Sequence, residues 1–178
     1  LLNDEVIRFE NLVQDLLDLS RSDSGPMEND LVNIEELVKA TLASADDRIK
    51  LEVSNSAQGG LVMGDKRRLA QVLDNLLRNA EKYGDGATRI VVTSTGTDIE
   101  IAVEDDGPGV APSERELIFE RFTRGAAARK RGTGDGAGLG LALVDEHARR
   151  HGGSAHVEGK EGQPGARFVV SLPKAGHR

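Results

Sequence analysis

Two asparagines, Asn75 and Asn79, stand four residues apart in the stretch "QVLDNLLRNAEKYG", Gln71 to Gly84. The stretch reads as a helix, yet asparagine is a poor helix former because its amide competes with the backbone for hydrogen bonds. At about 100° per residue, Leu69, Val72, Leu73, Leu76, Leu77, Ala80 and Tyr83 fill one arc of that helix. Arg68, Gln71, Asn75, Asn79 and Lys82 form a separate stripe, and Asn79 lies nearest the border of the apolar arc, which predicts partial burial. An amide carbonyl there can ligate Mg²⁺, which takes oxygen ligands and keeps several waters when it serves phosphates. A solvated polar face fits the same pattern. The helix alone does not decide between them.

Two further stretches carry possible chemistry. In "VEDDGPGV", Val103 to Val110, a strand ends on Asp105, and Gly107-Pro108-Gly109 lets the backbone turn tightly and approach a ligand. A carboxylate at a strand end can accept a hydrogen bond from an exocyclic amine such as that of adenine. A plain turn is the alternative. In "GTGDGAGLGLALV", glycines 132, 134, 136, 138 and 140 run into a helix, and exposed N–H groups at such a start make an anion site. The spacing fits neither the dinucleotide fingerprint nor a P-loop, since "GK" occurs only at Gly159-Lys160 with Glu161 after it. Just upstream, "RFTRGAAARKRGTG" holds Arg121, Arg124, Arg129, Lys130 and Arg131 with no acid among them. Such a loop would suit a lid over a triphosphate, or it is simply solvated.

The elements that must position these groups follow from pattern and punctuation. "DLVN" reads as a short strand, and Asn33 with Glu36 resembles a capping box opening a helix to about Asp47. "IKLEVSN" and "GGLVMG" are strand candidates, and Asp65 is placed to cap the asparagine helix. "TRIVVTSTGTDIEIAVED" gives two alternating runs joined at Gly96, a hairpin. A short helix is expected around "SERELIFERF". A longer one is expected over "GLGLALVDEHARRHGG", closed by Gly152 and Gly153. "SAHVEG" and "ARFVVSLP" complete the strands. The expected fold is an α/β two-layer sandwich, a mixed sheet of about five strands packed on three helices, with an appended N-terminal helix. In that leading helix Leu2, Val6, Phe9, Val13 and Leu16 recur at alternating steps of four and three, the pattern of a coiled-coil or bundle seam, with a simple docking helix as the alternative. The expected organisation is a leading helix over 1–24, a hinge over 25–30 at Gly25-Pro26, and the main domain over 31–178.

Composition narrows the function classes. Of 178 residues, 38% are hydrophobic and 30% charged, a foldable mixture, while aromatics at 3% leave the core to Leu, Val, Ile and Ala. The net charge of −7 argues against nucleic acid as a partner. The absence of cysteine excludes a disulfide framework and a thiolate metal site. No apolar run reaches the roughly 18 residues of a membrane span, and no signal-peptide pattern opens the chain. Leu1 already lies inside a helical pattern, so the chain reads as a piece of a longer protein.

Together these stretches resemble the ATP-binding catalytic domain of sensor histidine kinases, within the wider group that includes Hsp90, gyrase B, MutL and the anti-sigma kinases. "DNLLRNAEKYG" resembles the N box, "EDDGPGV" the first glycine box, "IFERFTRG" the F box, and "GDGAGLGLALV" the second glycine box. The likeness covers about residues 28 to 173, with the four boxes in order. It implies ATP and Mg²⁺ as cofactors. Asn79 would ligate Mg²⁺, with Asn75 holding phosphate or metal-bound water. Lys82 and Tyr83 would face the phosphates and the nucleotide, and Asp105 would receive the adenine amine above Gly107 and Gly109. Phe119 and Phe122 would anchor a lid over about 121–137, and Arg124 would reach the terminal phosphate. Gly136, Ala137, Gly138, Leu139 and Gly140 would line the phosphate side. Asn75, Lys82 and Arg124 would thus carry the catalytic roles.

The leading "RFENLVQDLLDLSRSDSG" resembles the second helix of the family's dimerisation and phosphoacceptor hairpin. The first helix, with its H-E-x-R-x-P box, is absent. None of His147, His151, His156 and His177 has an acidic residue directly after it, and His147 and His151 are expected to be surface or capping residues. The resemblance implies a homodimeric kinase that passes the γ-phosphate to a histidine outside this chain, then to a response-regulator receiver domain. It also implies a cytoplasmic domain of a protein in the bacterial inner membrane. An anti-sigma-type serine kinase, a degenerate nucleotide-binding module and a gyrase- or MutL-like clamp are the rival readings. The N-terminal seam, the intact boxes and the lack of clamp partner domains argue against them in turn.

Overall fold

The computed structural model describes residues 26–45, 48–123, 138–160 and 162–176, together with Val6, Phe9, Val13 and Leu17 of the leading helix. A two-stranded antiparallel ribbon joins β1 (Asp30–Asn33) to β3 (Leu61–Gly64). The main sheet has the order β2-β4-β5-β7-β6, with β2 (Lys50–Val53), β4 (Ala87–Thr95), β5 (Asp98–Asp105), β7 (Ala166–Pro173) and β6 (Ser154–Gly159). β2 runs parallel to β4 and every other pair is antiparallel, so the sheet is mixed. Three helices, α1 (Ile34–Leu42), α2 (Lys66–Tyr83) and α3 (Gly140–Arg150), complete the expected two-layer sandwich.

Local signals explain most element starts. The Asn33 side chain accepts from the Glu36 N–H at 3.1 Å, the forward half of a capping box. Asp65 accepts from the Arg67 and Arg68 N–H groups at 3.0 and 3.2 Å and so begins α2. The β4–β5 hairpin turns at Gly96, whose φ of 57° suits glycine. α1 stops at Leu42, short of the expected Asp47.

The expected short helix after β5 is instead two 3₁₀ turns, Pro112–Glu114 and Leu117–Phe119. Only Ile118 in these turns is buried, too few anchors at helical spacing to sustain α-helix.

The core lies between the inner face of the sheet and the helices. Leu69, Val72, Leu73 and Leu76 of α2 meet Ile90, Val92, Ile99, Ile101 and Val103 of β4 and β5 in one buried cluster. The opposite face of the sheet carries a transverse row in register: Arg89, Glu104, Arg167 and Glu158 on β4, β5, β7 and β6. Arg89 pairs with Glu104 at 2.8 Å and with Glu52 at 3.2 Å, and Arg167 reaches Glu104 at 3.5 Å. Glu104 is thereby 3% exposed with a cation on either side, as a buried carboxylate requires.

Leu73 is fully buried at the centre of α2. Leu73→Ala is expected to destabilise the chain by about 2–5 kcal/mol. Urea unfolding checks this, with a lower midpoint at unchanged slope.

Candidate functional site

The polar stripe on α2 is covered in part and is exposed at Lys82. Arg68 and Asn75 are 8% and 7% exposed, because α3 packs across them. Two buried contacts fix that packing. His147 Nε2 lies 3.1 Å from Gln71 Oε1. His151 Nε2 accepts from the Asp65 N–H at 3.0 Å, while its Nδ1 donates to the His147 carbonyl at 2.6 Å. A backbone donor on one nitrogen and a backbone acceptor on the other define a neutral ring with the proton on Nδ1.

This corrects the expectation for the histidines. His151 is the C-cap of α3, as a capping residue should be, but it is 7% exposed, and His147 is 0% exposed and internal. Sequence reasoning missed them because their partners lie more than 70 residues away, at Gln71 and Asp65.

α3 begins where the asparagines end their stripe. Gly140 opens the helix with no side-chain cap, and a Cβ built there would stand 3.6 Å from Asn75 Oδ1. Asn75 Oδ1 accepts from an Arg78 N–H at 3.2 Å, whereas its buried Nδ2 has no partner among the described residues. Asn79 is half-buried, as expected. Lys82 is exposed in the last turn and Tyr83 is half-buried. Leu139 is buried, and Gly138, at φ 71°, has a notional Cβ 2.8 Å from the Thr123 carbonyl oxygen.

At the other end of α2 lies Asp105, 3% exposed at the end of β5. Its Oδ1 accepts from the Gly107 N–H at 3.0 Å and the Ala166 N–H at 3.1 Å. Burial pushes its carboxyl up, opposed by those two N–H groups and by Lys160. Backbone closes in on three sides. A Cβ at Gly84 would fall 2.3 Å from Asp105 Cγ, one at Gly107 would fall 2.5 Å from Gly84 Cα, and one at Gly165 would fall 1.9 Å from the Asp105 carbonyl oxygen. Gly109, at φ 71°, meets the Gly165 carbonyl oxygen in the same way at 2.7 Å. Gly165 and Ala166 therefore shape the surroundings of Asp105 without any local motif having announced them, and Gly84, the last residue of the N box, does so too.

Of the stretch expected to form a lid, only the start is described. Phe119 packs edge-on against Phe168 with centroids 6.5 Å apart. Phe122 does not fit its expected role through its ring, which is 65% exposed. It holds the loop by its backbone instead, its N–H donating to the Gly138 carbonyl at 3.1 Å with φ at 63°. Arg124, Gly136 and Ala137 lie outside the described residues.

The described groups thus lie along the C-terminal half of α2. A buried carboxylate in a backbone cradle sits at one end. An amide with an orphaned donor faces an uncapped glycine helix start at the other. Asn75 to Tyr83 spans about 12 Å of helix axis.

Residues 64–176 match the family described as histidine kinase-, DNA gyrase B- and HSP90-like ATPases. The chain belongs to that family. Within it, the chain is 38% identical over 176 residues to the signal transduction histidine-protein kinase/phosphatase MprB of Mycobacterium sp. (strain KMS), covering 95% of this chain and 34% of the relative. It is likewise 38% identical over 178 residues to the sensor-like histidine kinase SenX3 of Mycobacterium tuberculosis (strain ATCC 25618 / H37Rv), covering 95% of this chain and 43% of the relative. The chain spans between a third and a half of the length of these relatives. Among solved structures it resembles full-length ShkA in complex with AMPPNP, with a TM-score of 0.71 and 32% identity over 97% of this chain and 36% of that one. The domain is an ATP-binding catalytic domain of the histidine-kinase type, with the fold and the order of boxes expected from its sequence.

Two outcomes follow from this geometry. Burial, then the nearby Arg68 and His151, push His147 from 6.5 down to about 4. The unfolded chain takes up that proton near 6.5 and the folded chain only near 4, so stability falls as pH drops through that window. The loss is of order 3 kcal/mol, and His147→Leu is expected to remove much of that slope in denaturant titrations at stepped pH. Gly84→Ala forces its Cβ against a carboxylate held by two backbone bonds. It is expected to cost about 1–3 kcal/mol of stability and to weaken AMPPNP binding in calorimetry.

Proposed function

We propose that this chain is the nucleotide-binding engine of a sensor histidine kinase, and that it holds Mg-ATP with the base at Asp105 and the phosphates between Asn75, Asn79 and Gly138–Gly140. The observation that carries the reading is Asp105, a buried carboxylate aimed from a backbone cradle with both protein hydrogen bonds on Oδ1. Among the described residues no hydrogen bond reaches Oδ2, which can accept from an exocyclic amine.

The donor set also fits Mg²⁺ bound through phosphates. Among the described residues no group of three or more His, Asp or Glu side chains forms a metal cage. An ion here would take an amide oxygen, waters and phosphate oxygens, which is how Mg²⁺ serves nucleotides. Asn79 supplies the amide oxygen, and the orphaned Nδ2 of Asn75 donates to a phosphate oxygen or a metal-bound water. The ion, when bound, neutralises charge on the phosphates. Lys82, exposed in the last turn of α2, and Arg124 add positive charge toward the terminal phosphate.

The whole protein, on this proposal, transfers the γ-phosphate to a histidine imidazole supplied from outside this chain. It then passes the phosphate to an aspartate on a response-regulator receiver domain. Val6, Phe9 and Leu17 of the leading helix are 50%, 66% and 43% exposed, and this apolar stripe supports a homodimer built on a helical seam. Among the described residues no helix is long and apolar enough to cross a membrane. We place the domain on the cytoplasmic side of a protein anchored elsewhere in its sequence.

Calorimetric titration of AMPPNP into this chain, with and without Mg²⁺, tests the site. Asp105→Asn is expected to weaken binding about 10- to 100-fold, the size of a lost buried hydrogen bond to a charged group. Asn79→Ala is expected to leave metal-free binding in place and abolish its strengthening by Mg²⁺. Binding that is indifferent to Asp105 would refute the assignment of the base.

A further inference from the structure

The turn between β6 and β7 grips Asp105 at both ends. Ala166, the first residue of β7, donates its N–H to Asp105 Oδ1, and Gly165 leaves no room for a Cβ against the Asp105 carbonyl oxygen. At the start of the same turn, Lys160 Nζ donates to that carbonyl oxygen at 3.1 Å and pairs with the Asp106 carboxylate. A lysine in a turn is ordinarily a solvated point charge with little structural weight. Here the side chain is only 11% exposed and its ammonium meets two oxygens of adjacent residues. Lys160 lines a cleft of about 830 Å³, together with Leu77, Arg78, Asp85, Glu104 and Asp106. None of those residues is assigned to the nucleotide.

We propose that Lys160 is a positioning residue for base recognition: held by Asp106, its ammonium fixes the peptide from which Asp105 reaches the nucleobase. The inference rests on the reading of Asp105 as the base-reading carboxylate. The geometry divides the work between two bonding partners. The Gly107 and Ala166 N–H groups orient the carboxylate, and Lys160 pins the carbonyl of the same residue from behind. Asp105 therefore cannot rotate about its backbone without losing one or the other. The ammonium also favours the ionised carboxylate, which burial disfavours and which must accept rather than donate. Discrimination by a hydrogen-bonding site depends on such fixed polar groups, because a base lacking the partner leaves them unpaired. Lys160 thereby sets selectivity from a position that never contacts the ligand.

The test is the ratio of affinities for AMPPNP and its inosine counterpart, in which a carbonyl replaces the exocyclic amine, measured by calorimetry on this chain. Lys160→Met keeps the stem and removes the ammonium. It is expected to lower AMPPNP affinity about fivefold or more, to leave the inosine nucleotide nearly unchanged, and so to shrink the ratio. Lys160→Arg restores a cation and is expected to recover most of the ratio. Asp106→Asn removes only the outer tether and is expected to move the ratio the same way by less, which keeps the idea testable if Lys160→Met fails to fold. Equal losses for both nucleotides, or an unchanged ratio, would overturn the proposal and leave Lys160 a structural residue. Asp105→Asn separates the two readings. If it leaves the ratio intact, base reading by Asp105 itself fails. If it collapses the ratio while Lys160→Met does not, only the role of Lys160 is lost.

Discussion

The structure turns on the hydrogen bond from the Asp65 N–H to His151. One helix, α2, must bury an apolar arc on the sheet and, on the proposed reading, still present amides to a ligand. That double duty requires its second face to be held by another helix without being sealed in an apolar core. Asp65 caps the start of α2, and His151, at the end of α3, accepts the N–H of that same cap residue. Gln71 and His147 repeat the contact about two turns along α2. The pair of ties sets the two helices so that Asn75 comes opposite Gly140. A neutral histidine suits this task because it can donate and accept at once.

Function on this scaffold is a matter of placement. The described residues hold no cluster of carboxylates or histidines for metal chemistry. The proposed site draws instead on one carboxylate, two amides, a glycine helix start and the base of a basic loop. Phosphoryl transfer asks little more of a protein than positioning and charge neutralisation. The acceptor histidine and the partner that receives the phosphate belong, on the proposed reading, to other segments and other chains. The domain's share is to bind the nucleotide in one orientation.

How much of this the sequence revealed depends on how far each cause lies along the chain. Caps at Asn33 and Asp65, the Gly96 hairpin and the end of β5 on Asp105 were legible because their hydrogen bonds close within a few residues. The four boxes were legible because residue types and order carry them. The cradle around Asp105 was not, since Ala166 is 61 residues away and nothing in "PGAR" marks its N–H as the donor to a distant carboxylate. The burial of Arg68, Asn75 and His147 was equally hidden, because a polar stripe on an isolated helix looks solvated until a second helix covers it. Phe122 entered through the resemblance alone; its ring is exposed, and its described contact is made by the backbone, to Gly138.

Three backbone surfaces, at Gly84, Gly107 and Gly165, wall in Asp105 and its neighbours. A carboxylate so enclosed, with Oδ1 held by two backbone N–H groups, has little room to turn. On the proposed reading, the choice of base is made before any ligand arrives, so recognition at this end is lock-like and carries little ordering entropy. Affinity can then be adjusted through the phosphate end alone, leaving the identity of the base untouched. A lineage of such proteins could drift widely in how tightly and how long they hold a nucleotide while never changing which one they hold.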